Sequence, residues 1–183
     1  MRTTFESLII EALSLIHIFG YTQSADWRRR YAGNELQGYR LVHAYRLINN
    51  VLGMELKAAL NTDGVSAEGR KASTCSGCHY HPVFGLDLIA RVLPLRNRTA
   101  PADVPQVMLG GKTITTEREL LTAMVESNDF RFNVCRTAMR YAYGRPEYKC
   151  EGPVFDACMN AFTATPTMQA ALSAVLRHQT YCQ

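Results

Sequence analysis

The sequence has no apolar run long and uncharged enough to cross a bilayer, no alternating strand-type pattern and no repeat of solenoid length. The first absence leaves no expected membrane span in this chain. The other two argue against a sheet protein and against a repeat array. A concentrated basic patch is also missing. The 20 Lys and Arg residues are dispersed, the net charge is only +4, and the one short run, Arg28-Arg29-Arg30, reads as a solvated helix face. Nucleic acid is therefore not an expected partner, although a mildly basic surface suits steering toward an acidic protein. What remains is 183 residues, 47% of them apolar, enough to build a buried core.

The N-terminal stretch MRTTFESLIIEALSLIHIFG carries one basic residue, two acids (Glu6 and Glu11) and no small-residue cleavage site. It lacks the features of a signal peptide. Residues 13–18, LSLIHI, are what CTGTCTCTTATACACATC encodes, an end sequence used in transposase-based library preparation. The expectation is that residues 1–18 are not native and that the chain is the tail of a larger protein whose export signal lies upstream. An ordinary amphipathic helix is the alternative.

Helical spacing dominates the rest. Apolar residues from Leu36 to Leu60 recur at that spacing within 33–60, and Asn61-Thr62-Asp63-Gly64 supplies stop chemistry. Leu86, Ile89, Val92 and Leu93 predict a short helix ended by Pro94, and the Pro- and Gly-rich residues 94–115 predict a loop. Thr116-x-x-Glu119 is a capping box ahead of Leu120, Leu121, Met124 and Val125. Phe130, Val134, Ala138 and Tyr141 form a second stripe, ended by Gly144 and Pro146. Gly152-Pro153 opens a third helix, and Thr165-Pro166 is the expected N-cap and first turn of a fourth. The expected fold class is all-α, with a helical N-terminal segment over 19–72, a functional helical domain over 73–183 and four helices at its C-terminal end.

The chemistry concentrates in STCSGCHYHPVFG, residues 73–85. Cys75-Ser76-Gly77-Cys78-His79 is C-x-x-C-H, the attachment signature of c-type haem. Two thiols at this spacing add to the haem vinyl groups, and the next residue supplies an imidazole to iron. A zinc site needs a second ligand pair at suitable spacing, and none follows. A thioredoxin-like dithiol needs a βαβ setting, which the pattern does not provide. The expected cofactor is one haem c, held covalently by Cys75 and Cys78 with His79 as proximal ligand. A structural metal on the same three residues is the non-redox alternative.

Met108, within PADVPQVMLGGK, is the expected distal ligand and with His79 completes the expected iron ligand set, because a Pro- and Gly-rich loop can carry a thioether over the ring. Its bland role is filling a core gap. Met54, Met124 and Met139 lie on helical patterns, where packing is their default, though Met124 follows His79 at a distance common in small c-type cytochromes. His81 precedes Pro82 and is turned from helical geometry, so it is expected to be exposed or bonded to a propionate. His43 and His178 read as ordinary helix histidines. An open distal site is the remaining option, with peroxidase-like or small-ligand chemistry.

Four further cysteines, Cys135, Cys150, Cys158 and Cys182, lie in the last third and predict two disulfides and an oxidising compartment. Antiparallel helix pairing places Cys135 opposite Cys158 and Cys150 opposite Cys182; buried free thiols are the alternative.

Several of these features occur together: the C-x-x-C-H, Pro82, Gly85, Gly110-Gly111, Glu119-Leu120, FNVCRTAMRYAYGR over 132–145 and Phe162. In this combination residues 75–183 resemble the C-terminal haem-binding regions of large multi-domain bacterial proteins abundant in planctomycetes and myxobacteria. The family's Ile-Asp-Pro after the haem histidine is here the shorter His81-Pro82. The resemblance implies a periplasmic or envelope-located redox module, electron transfer to an unidentified partner protein, and a Cys135–Cys150 bridge. Arg145, which ends the YAYGR segment, is expected either to cap carbonyls or to pair with a propionate.

Overall fold

The computed structural model describes residues 41–56, 66, 68–93 and 105–179. Each helix follows an apolar stripe closed by local stop chemistry. Helix α1, Leu41–Leu52, buries His43, Ala44, Leu47, Ile48, Val51 and Leu52, a single face at three- and four-residue spacing. It ends earlier than the pattern predicts. Gly53 takes the left-handed conformation at φ 68°, and the Met54 N–H reaches back to the Ile48 carbonyl. A glycine that can leave the helix without a Cβ penalty outweighs the apolar residues beyond it. The expected stop at 61–64 lies outside the described residues, as do residues 1–18.

The described residues divide into two compact units between Met124 and Val125. In the first, a 3₁₀ turn, Gly69–Lys71, leads into α2, Ser73–His79, and then into α3, Leu86–Val92. Helix α3 packs against α1, α2 and the strand that follows. Residues 94–104 are not described, and the expected loop over 94–115 resolves beyond them into a hairpin. Strand β1, Gln106–Met108, pairs antiparallel with β2, Lys112–Ile114, in the register Gln106↔Ile114 and Met108↔Lys112. Three residues per strand are too few for a period-two pattern to emerge from sequence. The turn needs positive φ at Leu109 (51°), Gly110 (82°) and Gly111 (91°), which explains the paired glycines. Helix α4, Glu117–Val125, has the predicted capping box: Thr116 Oγ1 accepts from the Glu119 N–H at 3.2 Å, and Glu119 accepts from the Thr116 N–H at 3.0 Å. A further bond from the Thr115 N–H helps hold the Glu119 carboxyl below its usual pKa.

The second unit is three mutually packed helices: α5, Asn128–Tyr143; α6, Gly152–Ala164; and α7, Met168–Arg177. Ser127 caps α5 and Gly144, at φ 67°, ends it. Pro153 sits in the first turn of α6, as its sequence predicts. The start of α7 differs from expectation. Thr167 is the N-cap, accepting from the Ala170 N–H at 3.1 Å, whereas Thr165 terminates α6 in extended geometry. The core comprises Val134, Ala138, Met139, Val154, Phe162, Ala171 and Val175 around a Cys135–Cys158 disulfide, Cα–Cα 5.8 Å. The antiparallel pairing of α5 and α6 thus corrects the Cys135–Cys150 bridge implied by the family resemblance. Cys150 is also disulfide-bonded, its partner lying outside the described residues, as Cys182 does.

Between α5 and α6, Arg145 forks onto the fully buried Glu151, with Nη2 donating at 2.6 Å and Nη1 at 3.0 Å. The Tyr148 N–H adds a third bond to Glu151, and the guanidinium lies 4.0 Å from the Tyr148 ring centroid. Arg145 also donates to the Pro146 carbonyl. The carboxylate therefore holds this arginine, in place of the propionate weighed from sequence. Among the described residues no helix is long and apolar enough to cross a membrane.

Candidate functional site

Helix α2 is the motif itself. Residues three and four apart share a helix face, so Cys75, Cys78 and His79 present two thiols and an imidazole from one side of two turns. Both thiols are free; Cys78 is exposed and Cys75 half-buried. At Gly77 a Cβ would meet nothing within 4 Å, so the motif backbone is open on that side.

His79 is held from behind. Its Nδ1 lies 2.7 Å from Oδ2 of Asp87, in the first turn of α3. Arg70, from the 3₁₀ turn, grips the same carboxylate with Nε to Oδ2 at 2.9 Å and Nη2 to Oδ1 at 2.7 Å. The Asp87 side chain is only 1% exposed. Burial pushes its pKa up, but the hydrogen bonds from His79 and Arg70, together with their charge, outweigh burial and hold the carboxyl below its ordinary value. An ionised carboxylate only accepts hydrogen bonds, so Nδ1 of His79 is the donor. The network thereby assigns the ring's remaining donor electrons to Nε2.

Gly85 makes this juxtaposition possible. A Cβ there would stand 2.9 Å from the His81 carbonyl oxygen and 3.0 Å from that of His79, both backbone atoms with little room to give. The Gly85 N–H bonds to the His81 carbonyl at 2.8 Å, folding α3 back over the end of α2. His81 is engaged locally: its Nδ1 accepts from the Val83 N–H at 3.2 Å and its ring stacks on Phe84 at 4.1 Å.

Met108 lies on β1 with its side chain wholly buried, and the neighbouring Leu109 N–H bonds to the Val83 carbonyl at 3.1 Å. This bond ties the hairpin to the segment that follows His79. Met124 on α4 and Met139 on α5 are buried core residues, and Met54 is half-buried just beyond α1. His43 is buried on α1, and His178 follows α7.

No family model, curated protein or solved structure matches the chain. The site must therefore be read from its own donors. Two free thiols and one imidazole with an available Nε2 fit a group that takes two thioether links and one nitrogen ligand. Among the described residues no three His, Cys, Asp or Glu side chains converge as a metal cage. Arg70 and Asp87 were not anticipated from sequence. Their available signals were the one acid of α3, next to its apolar residues, and a basic residue just before the motif.

Proposed function

We propose that the chain is a monohaem c-type electron-transfer module, working in the periplasm or cell envelope as the C-terminal part of a larger redox protein. The observation that carries the reading is the free Cys75/Cys78 pair beside a histidine whose Nδ1 is already committed to Asp87. Cys75 and Cys78 would form the thioether links, and His79 Nε2 would bind iron. A haem held there supplies one-electron exchange between ferrous and ferric states. The protein's own task is to fix the imidazole, and the Asp87–Arg70 fork does this from a water-excluded position. The disulfides fit an oxidising compartment.

Met108 is the distal ligand in this proposal. Two features favour it over the other methionines: the Leu109–Val83 bond and the positive φ of Leu109. Such a conformation persists in a non-glycine residue only when its surroundings impose it, and functional sites collect such residues. The ferric spectrum tests the assignment. Wild-type protein is expected to be low-spin with a methionine–iron charge-transfer band, and Met108→Leu, which keeps the core volume, is expected to lose that band. A high-spin wild-type spectrum would instead support an open distal site with peroxidase-like or small-ligand chemistry.

A further inference from the structure

We propose that Asp87, clamped by Arg70, is a positioning residue that sets the reduction potential of the site by hydrogen-bonding His79. This rests on the haem reading above and specifies how the protein regulates that same centre. The geometry gives the reason. His79 Nδ1 sits 2.7 Å from a carboxylate oxygen, and the carboxylate is 1% exposed, so water does not compete for the bond. A buried ionised acceptor draws the Nδ1 proton toward itself and makes Nε2 a stronger donor than a carbonyl or water partner would. A stronger donor stabilises ferric iron more than ferrous, so the pair holds the midpoint low. Arg70 offsets the carboxylate's charge and fixes its plane through two bonds, at 2.9 and 2.7 Å, so Asp87 cannot rotate off the histidine.

Among the described residues two groups bond the Asp87 carboxylate: Arg70 from the 3₁₀ turn and His79 from α2. Neither the two thiols nor the capping contacts of α3 use this carboxylate. Among the described residues its side-chain bonds run to the histidine and to the arginine that orients it.

The test uses the full chain in two forms. Without haem, nitrogen-15 NMR of the imidazole is expected to show His79 protonated at Nδ1 in the wild type. With haem, made alongside the c-type maturation machinery, Asp87→Asn is expected to raise the midpoint by at least about 59 mV, the one-electron equivalent of a tenfold shift. Losing an outer-shell partner of a metal-bound histidine typically costs about 10–100-fold in metal affinity or activity, and a tenfold part of that confined to the ferric state gives this shift. Asp87→Glu, which keeps the carboxylate, is expected to restore most of the wild-type value. An Asp87→Asn protein that carries haem at an unchanged midpoint overturns the proposal. So does a wild-type His79 protonated at Nε2, a result that needs no variant to fold. A wild type that takes up no covalent haem removes the underlying reading and the potential claim with it, and the NMR result separates that failure from a failure of the Asp87–His79 bond.

Discussion

Replacing Cys135 and Cys158 together by alanine is expected to destabilise the three-helix unit by about 3.4 kcal/mol. The figure follows from the 23-residue separation of the two cysteines, because closing a loop of that length removes roughly 11.5 cal/mol/K from the unfolded chain. Both sulfurs are fully buried among Val134, Ala138 and Phe162, so their loss also leaves unfilled volume that adds to the cost. The Cys150 bond stays intact in this variant, which isolates one bridge. Urea unfolding followed by far-UV circular dichroism reads the difference, and the m-value should rise because the unlinked chain exposes more surface. A loss under about 1 kcal/mol, well below the range for native bridges, would refute the claim that this link organises α5 and α6.

Two other substitutions probe the turns that set the architecture. Gly85→Ala forces a Cβ against two backbone carbonyls and is expected to cost about 1–3 kcal/mol, as overpacking does; urea unfolding within about 0.5 kcal/mol of wild type, ordinary surface scatter, would contradict it. The Glu151 carboxyl is held below its ordinary 4.5 by the Arg145 hydrogen bonds, which outweigh burial, with help from the Tyr148 N–H. Its contribution is therefore fully present above about pH 4.5 and is lost as pH falls through the lower folded-state value. Melting temperature should drop across that acid window in wild type and less steeply in Glu151→Gln; equal slopes would contradict the assignment.

Helices α4, α5 and α6 were legible because their signals are local. Gly144, Pro153 and the Thr116–Glu119 box each act within one turn, and each lies where its chemistry predicts. The start of α7 was not, because Thr165 and Thr167 flank the same proline and both are competent caps. The choice depends on where α6 ends, which packing decides. Helix α1 ran past its true end in the periodicity because one left-handed glycine, Gly53, stops it without breaking the apolar pattern.

At the site, the motif residues were plain from spacing alone, but their support was not. Arg70 and Asp87 are 17 residues apart and meet only because the Gly85 turn folds α3 onto α2. No local pattern encodes that return. The YAYGR segment, the most distinctive feature of the family resemblance after the C-x-x-C-H, proves to contain a structural anchor: Gly144 ends α5 and Arg145 grips the buried Glu151. This distinctive part of the sequence thus explains the turn between two helices, and the residues proposed to hold haem lie elsewhere.

The central claim is that Cys75, Cys78 and His79 hold one covalent haem. Pyridine haemochrome absorbance, on protein made with the c-type maturation machinery, tests it most directly. The account predicts one haem per chain that survives acid–acetone extraction, and none in a Cys75→Ser/Cys78→Ser variant that still folds. A folded wild-type chain with no covalent haem would contradict it.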